Sequence, residues 1–108
     1  MNLRDKYLNI KSHNLGHAEI QEWGTVHLRD LTLSEMDRLE KSIAENPADA
    51  LALAVILGVA DEQGNRVFSD ADLWKIKNTA FNIVKATAEA VVAHNKLNGV
   101  VVEAEKKD

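Results

Sequence analysis

Polar and apolar positions change rhythm several times along this chain, and each change marks an element. From His17 to Glu22 the alternate residues Ala18 and Ile20 are apolar; from Thr25 to Arg29, Val26 and Leu28 are. A period of two places side chains on one face of a strand. Trp23-Gly24 lies at the join, so these segments predict a small N-terminal β-hairpin. A lone hairpin is marginal in water, so one face must pack on helices or on another subunit. The rhythm then becomes helical. Thr32-Leu33-Ser34-Glu35 has capping-box spacing, and the helix it opens continues through Leu39 and Ile43, with Asp37 and Lys41 paired one turn apart. Asn46-Pro47 ends it, because the residue before proline is driven out of helical geometry. A second helix is expected from about Asp49 to Val59. Leu51, Leu53, Val55, Ile56 and Leu57 leave it apolar all round, which marks a buried helix at the centre of the fold.

Asp61 to Arg66 reads as a turn, with Gly64-Asn65 suited to positive φ. Ser69, Asp70 and Asp72 suit the start of a helix by capping and by charge. That last helix is expected from Asp70 to about Leu97, stopping near Asn98-Gly99. Its polar strip is narrow (Lys75, Asn78, Asn82, Lys85, Glu89, Lys96), and apolar residues from Trp74 to Leu97 cover most of the remaining circumference. A small domain can hardly bury that whole arc, so either other helices wrap it or part of it faces a partner. Leu3, Tyr7, Leu8 and Ile10 suggest one or two amphipathic turns within residues 1–16. Val100-Val101-Val102 precedes a charged end, and residues 100–108 are expected to form a flexible tail. The pattern as a whole is mainly α (α+β): three to four helices, an N-terminal hairpin and a long C-terminal helix, all in one domain spanning residues 1–108.

Composition narrows the function. Hydrophobic residues make up 45% and charged residues 28% of the 108, as in an ordinary folded protein with a thin core that can lean on association. The net charge of −4 argues against a nucleic-acid surface, which needs clustered Lys and Arg. The absence of cysteine removes disulfide, thiol and cysteine–metal chemistry. Met1 to Lys6 shows no apolar signal-peptide core, and the longest apolar stretch, Ala48 to Ala60, is far short of a membrane span. The expectation is a cytoplasmic protein without a membrane or nucleic-acid partner.

Candidate chemistry is sparse. Asp61, Gln63, Asn65, Ser69 and Asp72 fall at positions 1, 3, 5, 9 and 12 of a calcium-loop spacing. However, the sixth position is Arg66 rather than the required glycine, and the twelfth is Asp rather than a bidentate Glu. A turn with a helix cap is the stronger reading. His13 and His17 have helical spacing for a metal but no third ligand beside them. No set of groups converges for catalysis, and no metal or cofactor is expected. Trp23 is either an anchor packing the hairpin onto the helices or an exposed interface aromatic. Trp74 and Phe81, seven residues apart on one helical face, are either core or a partner face.

The ordered set of landmarks resembles a known family. Glu22-Trp23-Gly24, the alternating Val26 and Leu28, Leu31-Thr32, an acidic helix, a buried apolar helix, Asp61-Glu62-Gln63-Gly64, Val67-Phe68-Ser69-Asp70-Ala71-Asp72-Leu73 and a long helix ending at Leu97-Asn98-Gly99 look like the tail assembly chaperones of siphophages, the group similar to those of phages HK97 and lambda. The resemblance covers about residues 3–99. One departure is Gln21, where relatives often carry proline before Glu-Trp-Gly.

The resemblance implies a non-enzymatic role: coating the long helical tape measure protein, keeping it soluble, and giving way as tail tube protein polymerises around it. It also implies a longer form made by ribosomal frameshifting, homo-oligomerisation, residence in the cytoplasm of an infected or lysogenic bacterial host, and absence from the mature virion. On this expectation Trp23, Gly24, Asp61, Gly64, Phe68 and Asp72 hold the architecture. Trp74, Phe81, Val84, Val91 and Val92 form the face for client or self-association. The alternatives are a minor tail component retained in the virion, or a generic helical interaction module.

Overall fold

The computed structural model describes residues 2–8 and 15–95. The expected hairpin is present: β1 (Gly16–Ile20) pairs antiparallel with β2 (Gly24–Leu28), with Gly16 opposite Leu28 and Ile20 opposite Gly24. Gln21, Glu22 and Trp23 form the connection, closed by the Trp23 N–H donating to the Ile20 carbonyl at 3.0 Å. Both Glu22 (φ 74°) and Gly24 (φ 78°) are left-handed there. Glycine takes that conformation freely, whereas glutamate is strained by about 1 kcal/mol. Ala18, Ile20, Val26 and Leu28 share the sheet face turned to the core. A third strand, β3 (Val59–Ala60), pairs with the other edge of β2, where the sequence pattern had continued the helix through Val59.

Five α-helices complete the described residues. α1 (Leu3–Leu8) stands before the hairpin. α2 (Leu33–Glu45) begins at the expected capping box, with Thr32 Oγ1 accepting the Glu35 N–H and Glu35 Oε1 accepting the Thr32 N–H. Asn46 ends α2 and caps α3 (Pro47–Gly58), where Pro47 loses nothing by lacking an N–H in the first turn. α3 is the hub, packed by α2, α4 and α5, and it runs directly into β3. Val55, Ile56 and Leu57 have no exposed surface. Each such burial is worth about 1.5–3 kcal/mol, whereas an exposed ion pair such as Lys41–Asp37 is worth about 0–1 kcal/mol. The apolar pattern of α3 therefore dominates the fold.

The C-terminal helix is divided. A single 3-10 turn (Asp70–Asp72) leads into α4 (Leu73–Lys77), and α5 (Phe81–His94) follows after a break at 78–80. The cause is local. The Asn78 side-chain amide donates to the Trp74 carbonyl at 2.8 Å, and the Thr79 hydroxyl donates to the Lys75 carbonyl at 3.0 Å. The Asn78 side chain shares the Trp74 carbonyl with its own N–H, whereas the Thr79 hydroxyl takes the Lys75 carbonyl that the Thr79 N–H would use in a continuing helix, and that N–H turns to the Ile76 carbonyl at 3.0 Å. The extension to Leu97, the zinc spacing at His13, Ile10, and the tail 100–108 lie outside the described residues.

Candidate functional site

The loop after β3 is closed on itself. Asp61 Oδ1 accepts the Gln63 and Asn65 N–H groups, each at 2.9 Å, and Gly64 turns the chain at φ 87°. Asp72 accepts the Ser69 N–H at 2.8 Å, completing a second capping box. Phe68 is half-buried and meets the Trp23 ring at 6.2 Å with a 41° tilt. Trp23 thereby ties the hairpin turn to the loop and the core. His17 is exposed on β1, and the His94 ring stacks over Gly16 with Nε2 3.0 Å from Asp30. Among the described residues, no three His, Asp or Glu groups gather as a metal site would require.

Two ionic clusters brace the base of α2. Arg29 bridges the Glu35 carboxylate at 3.2 Å and the Leu57 carbonyl. Burial pushes the Glu35 pKa upward, but the Thr32 N–H and the Arg29 guanidinium together outweigh it and hold the carboxyl below its usual value. Asp70 is held below its usual value chiefly by Arg38, with Arg66 adding to it.

The apolar arc expected on the C-terminal helix is split by burial. Val84 and Val91 face α3 within the core, so they are not available to a partner of the folded chain. Trp74 and Phe81 remain outside, 71% and 63% exposed, and Val92 is half-buried. The break at 78–80 produces this arrangement. α4 packs through Ile76 and α5 through Val84, Thr87, Ala88 and Val91, and each leaves its aromatic outward. Phe81 borders a groove of about 200 Å³ lined by Leu51, Ile76, Lys77 and Val84. Lys85 Nζ sits 5.9 Å above the Phe81 ring, and Lys77 pairs with Asp49 beside the groove. A second groove of about 160 Å³ runs between α2, α3 and α5, lined by Leu39, Ile43, Leu51, Ala88, Glu89 and Val92. The two meet at Leu51.

No family model matches the sequence, and no curated protein does. Among solved structures the chain is similar to the bacteriophage HK97 tail assembly chaperone, with a TM-score of 0.64 over 85% of this chain and 97% of that one, at 15% sequence identity. The fold is that of a phage tail assembly chaperone. The residues expected to hold the architecture, from Trp23 to Asp72, lie between the hairpin turn and the end of the 3-10 turn.

Residues that the sequence did not single out do comparable work at the other end of the molecule. The Asn95 side chain accepts the Leu31 N–H at 2.7 Å and donates to the Arg29 and Val91 carbonyls. It fastens the end of α5 to the segment leaving β2. Arg29 closes the alternating segment and Asn95 falls within the expected last helix, where the pattern reads each only as a polar position, and only the fold brings them to their partners. Thr87 is fully buried and satisfied by the Ile83 carbonyl at 2.7 Å, so a hydroxyl sits in the core at no unpaired cost. No described helix is long and apolar enough to cross a membrane.

Proposed function

We propose that this protein is a tail assembly chaperone of a long-tailed bacteriophage, acting in the cytoplasm of the infected or lysogenic host. It binds the tape measure protein, keeps that chain soluble, and yields it as tail tube protein polymerises. A longer frameshifted form of the same chain acts alongside it, and neither remains in the mature virion. The supporting observation is a fold likeness that runs through 97% of the HK97 chaperone chain. Trp74 and Phe81, exposed beside an apolar groove, supply the surface that a helical client's apolar stripe requires.

The mechanism follows from magnitudes. A few buried client side chains per copy, at about 1.5–3 kcal/mol each before ordering costs, give weak and reversible contacts. Many copies along one long client add avidity without making any one contact hard to displace. A polymerising tube can therefore strip the chaperone copy by copy. The net charge of −4 helps the loaded complex stay in solution.

Co-expression with the large helical protein encoded beside it tests this. The expected result is a soluble client that co-purifies with the chaperone, and loss of the client to the pellet with Trp74→Ser and Phe81→Ser, while circular dichroism of the variants stays unchanged. A client that remains insoluble beside the wild-type chain would overturn the proposal. Recovery of the chain from washed mature particles would favour a retained tail component instead.

A further inference from the structure

We propose that the groove between the start of α3 and the α4–α5 junction selects helical segments whose apolar stripe is edged with carboxylates. That the segment belongs to the client rests on the proposed function; the selectivity comes from the charges around the groove. Ala48, Leu51 and Ala52 line it from α3, Ile76 and Val84 line it from α4 and α5, and the exposed Phe81 borders it. Its volume of about 200 Å³ exceeds the roughly 150 Å³ that accepts a benzene ring, so it takes one large apolar side chain and not a whole helix. The rest of a docked helix lies outside, over the exposed aromatics.

Charge around the groove is of one sign. From Leu73 to Ala88 the charged side chains are Lys75, Lys77 and Lys85, in a chain whose net charge is −4. Lys77 is paired with Asp49. Lys75 and Lys85 have no carboxylate partner among the described residues, whereas Arg29, Arg38, Lys41 and Arg66 each have one. Glu89 stands one turn beyond Lys85, yet Lys85 leans the other way and sits 5.9 Å above the Phe81 ring. The order of residues favours this. A lysine N-terminal to a glutamate at that spacing is the weaker arrangement, and helical side chains slope toward the N-terminus. On α4, at about 100° per residue, Lys75 and Lys77 flank Trp74 on the side opposite the core-facing Ile76. Both exposed aromatics therefore have lysine beside them.

This arrangement discriminates among apolar helices. A stripe with neutral edges takes water from the Lys85 ammonium and offers no acceptor, and a stripe edged with Lys or Arg adds repulsion. A Glu or Asp one turn from the anchoring side chain replaces the lost water with a charge-assisted hydrogen bond. Lysines beside aromatics can also attract nucleic acid. That partner fits less well, because the groove is apolar and Lys77 already holds Asp49 beside it.

Three synthetic amphipathic helices of about 20 residues, sharing one leucine stripe edged with Glu, Gln or Lys, are titrated against the full-length protein by fluorescence anisotropy. The Glu-edged helix should bind about tenfold tighter than the Gln-edged one at low salt, and the Lys-edged helix should bind weakest. The margin should shrink at about 1 M salt, where the screening length is about 3 Å. Phe81→Ser should weaken binding of all three. Lys85→Glu should reverse the order, while Lys41→Glu, an exposed change on α2, should leave it as it is. Equal binding of the three helices, an order unchanged by Lys85→Glu, or tighter binding of a single-stranded oligonucleotide than of the Glu-edged helix would overturn the proposal. No tape measure protein takes part. Ordered peptide binding with failed co-expression supports this site and removes the tape measure protein as its occupant; successful co-expression without peptide preference does the reverse.

Discussion

Adding one methyl group at Gly58 should destabilise this protein out of proportion to its size. Gly58 is the last residue of α3 and is buried. A Cβ placed there would lie 2.6 Å from Val91 Cγ2, 2.9 Å from Val91 Cβ, and closer still to Cγ1. Val91 has no exposed surface, so it cannot swing into solvent. The backbone is held as well, since the Gly58 carbonyl accepts the Arg29 N–H at 2.9 Å and the neighbouring Leu57 carbonyl accepts the Arg29 side chain. Forced overpacking typically costs about 1–3 kcal/mol. Replacing glycine by alanine in a helix returns about 0.5–1 kcal/mol of that. The clash involves the body of a core valine and not a flexible tip, so the net loss should be about 2 kcal/mol, or roughly 10 °C in Tm for a domain of this size. Val91→Ala alone should cost about 2 kcal/mol through lost burial and a cavity. The double variant should be more stable than the sum of the two losses by about 1–2 kcal/mol, because the new methyl group occupies the space that the valine vacates. Urea unfolding of the four proteins measures the cycle. A Gly58→Ala midpoint equal to wild type, or strictly additive losses, would refute the close approach of α3 to α5.

Other expectations concern the ends of elements and the response to acid. Because Glu35 titrates lower in the folded chain than in the unfolded one, its contribution is complete above the ordinary glutamate value of 4.5 and is lost as pH falls below that through the folded value; melts from pH 7 to pH 3 should show a shallower acid loss in Glu35→Gln. Arg29→Met should cost about 3 kcal/mol in urea unfolding, since it leaves Glu35 and the Leu57 carbonyl half-buried without their cation. Asn95→Leu should cost about 2 kcal/mol by the same assay and speed hydrogen exchange at the Leu31 amide, whose acceptor it removes. Glu22→Gly should raise Tm, by relieving about 1 kcal/mol of left-handed strain, while Gly24→Ala should lower it by a similar amount.

The elements that the sequence made legible are those whose cause is local. The hairpin follows from alternation, α2 from a capping box that forms as its spacing demands, and α3 from an apolar surface that only burial can satisfy. The break at 78–80 was not legible, because Asn78 sits at helical spacing with Lys75 and Asn82 and reads equally well as part of a polar strip. The helix stops where the Thr79 hydroxyl takes the Lys75 carbonyl and the Thr79 N–H turns to Ile76 instead. β3 was hidden for a similar reason: Val59 and Ala60 continue an apolar run, and only Leu28 and His27 opposite them make a strand. The candidate face was legible in composition but not in direction. Periodicity shows that most of the C-terminal circumference is apolar, but the packing of α3 decides that Val84 and Val91 go inward while Trp74 and Phe81 stay out.

Under the proposed function, that division bears on how the protein both holds a client and lets it go. A surface made of core residues would require partial unfolding to engage, and its opening would cost a large part of the domain's stability. Here the exposed aromatics belong to two helices anchored separately, α4 through Ile76 and α5 through Val84, Thr87, Ala88 and Val91. Contacts to Trp74 and Phe81 can therefore form and break while the core stays intact. The 3-10 turn and the α4 segment are tied down by Arg38–Asp70, Arg66–Asp70 and Lys77–Asp49, mostly surface pairs of modest strength. α4 is thus the helix best able to adjust to a bound partner of the proposed kind, with α3 and α5 as the rigid frame beneath it. Under the proposed function, a client surface that spans the adjustable α4 and the rigid α5 accepts imperfect apolar stripes along a long chain and gives each of them up at low cost.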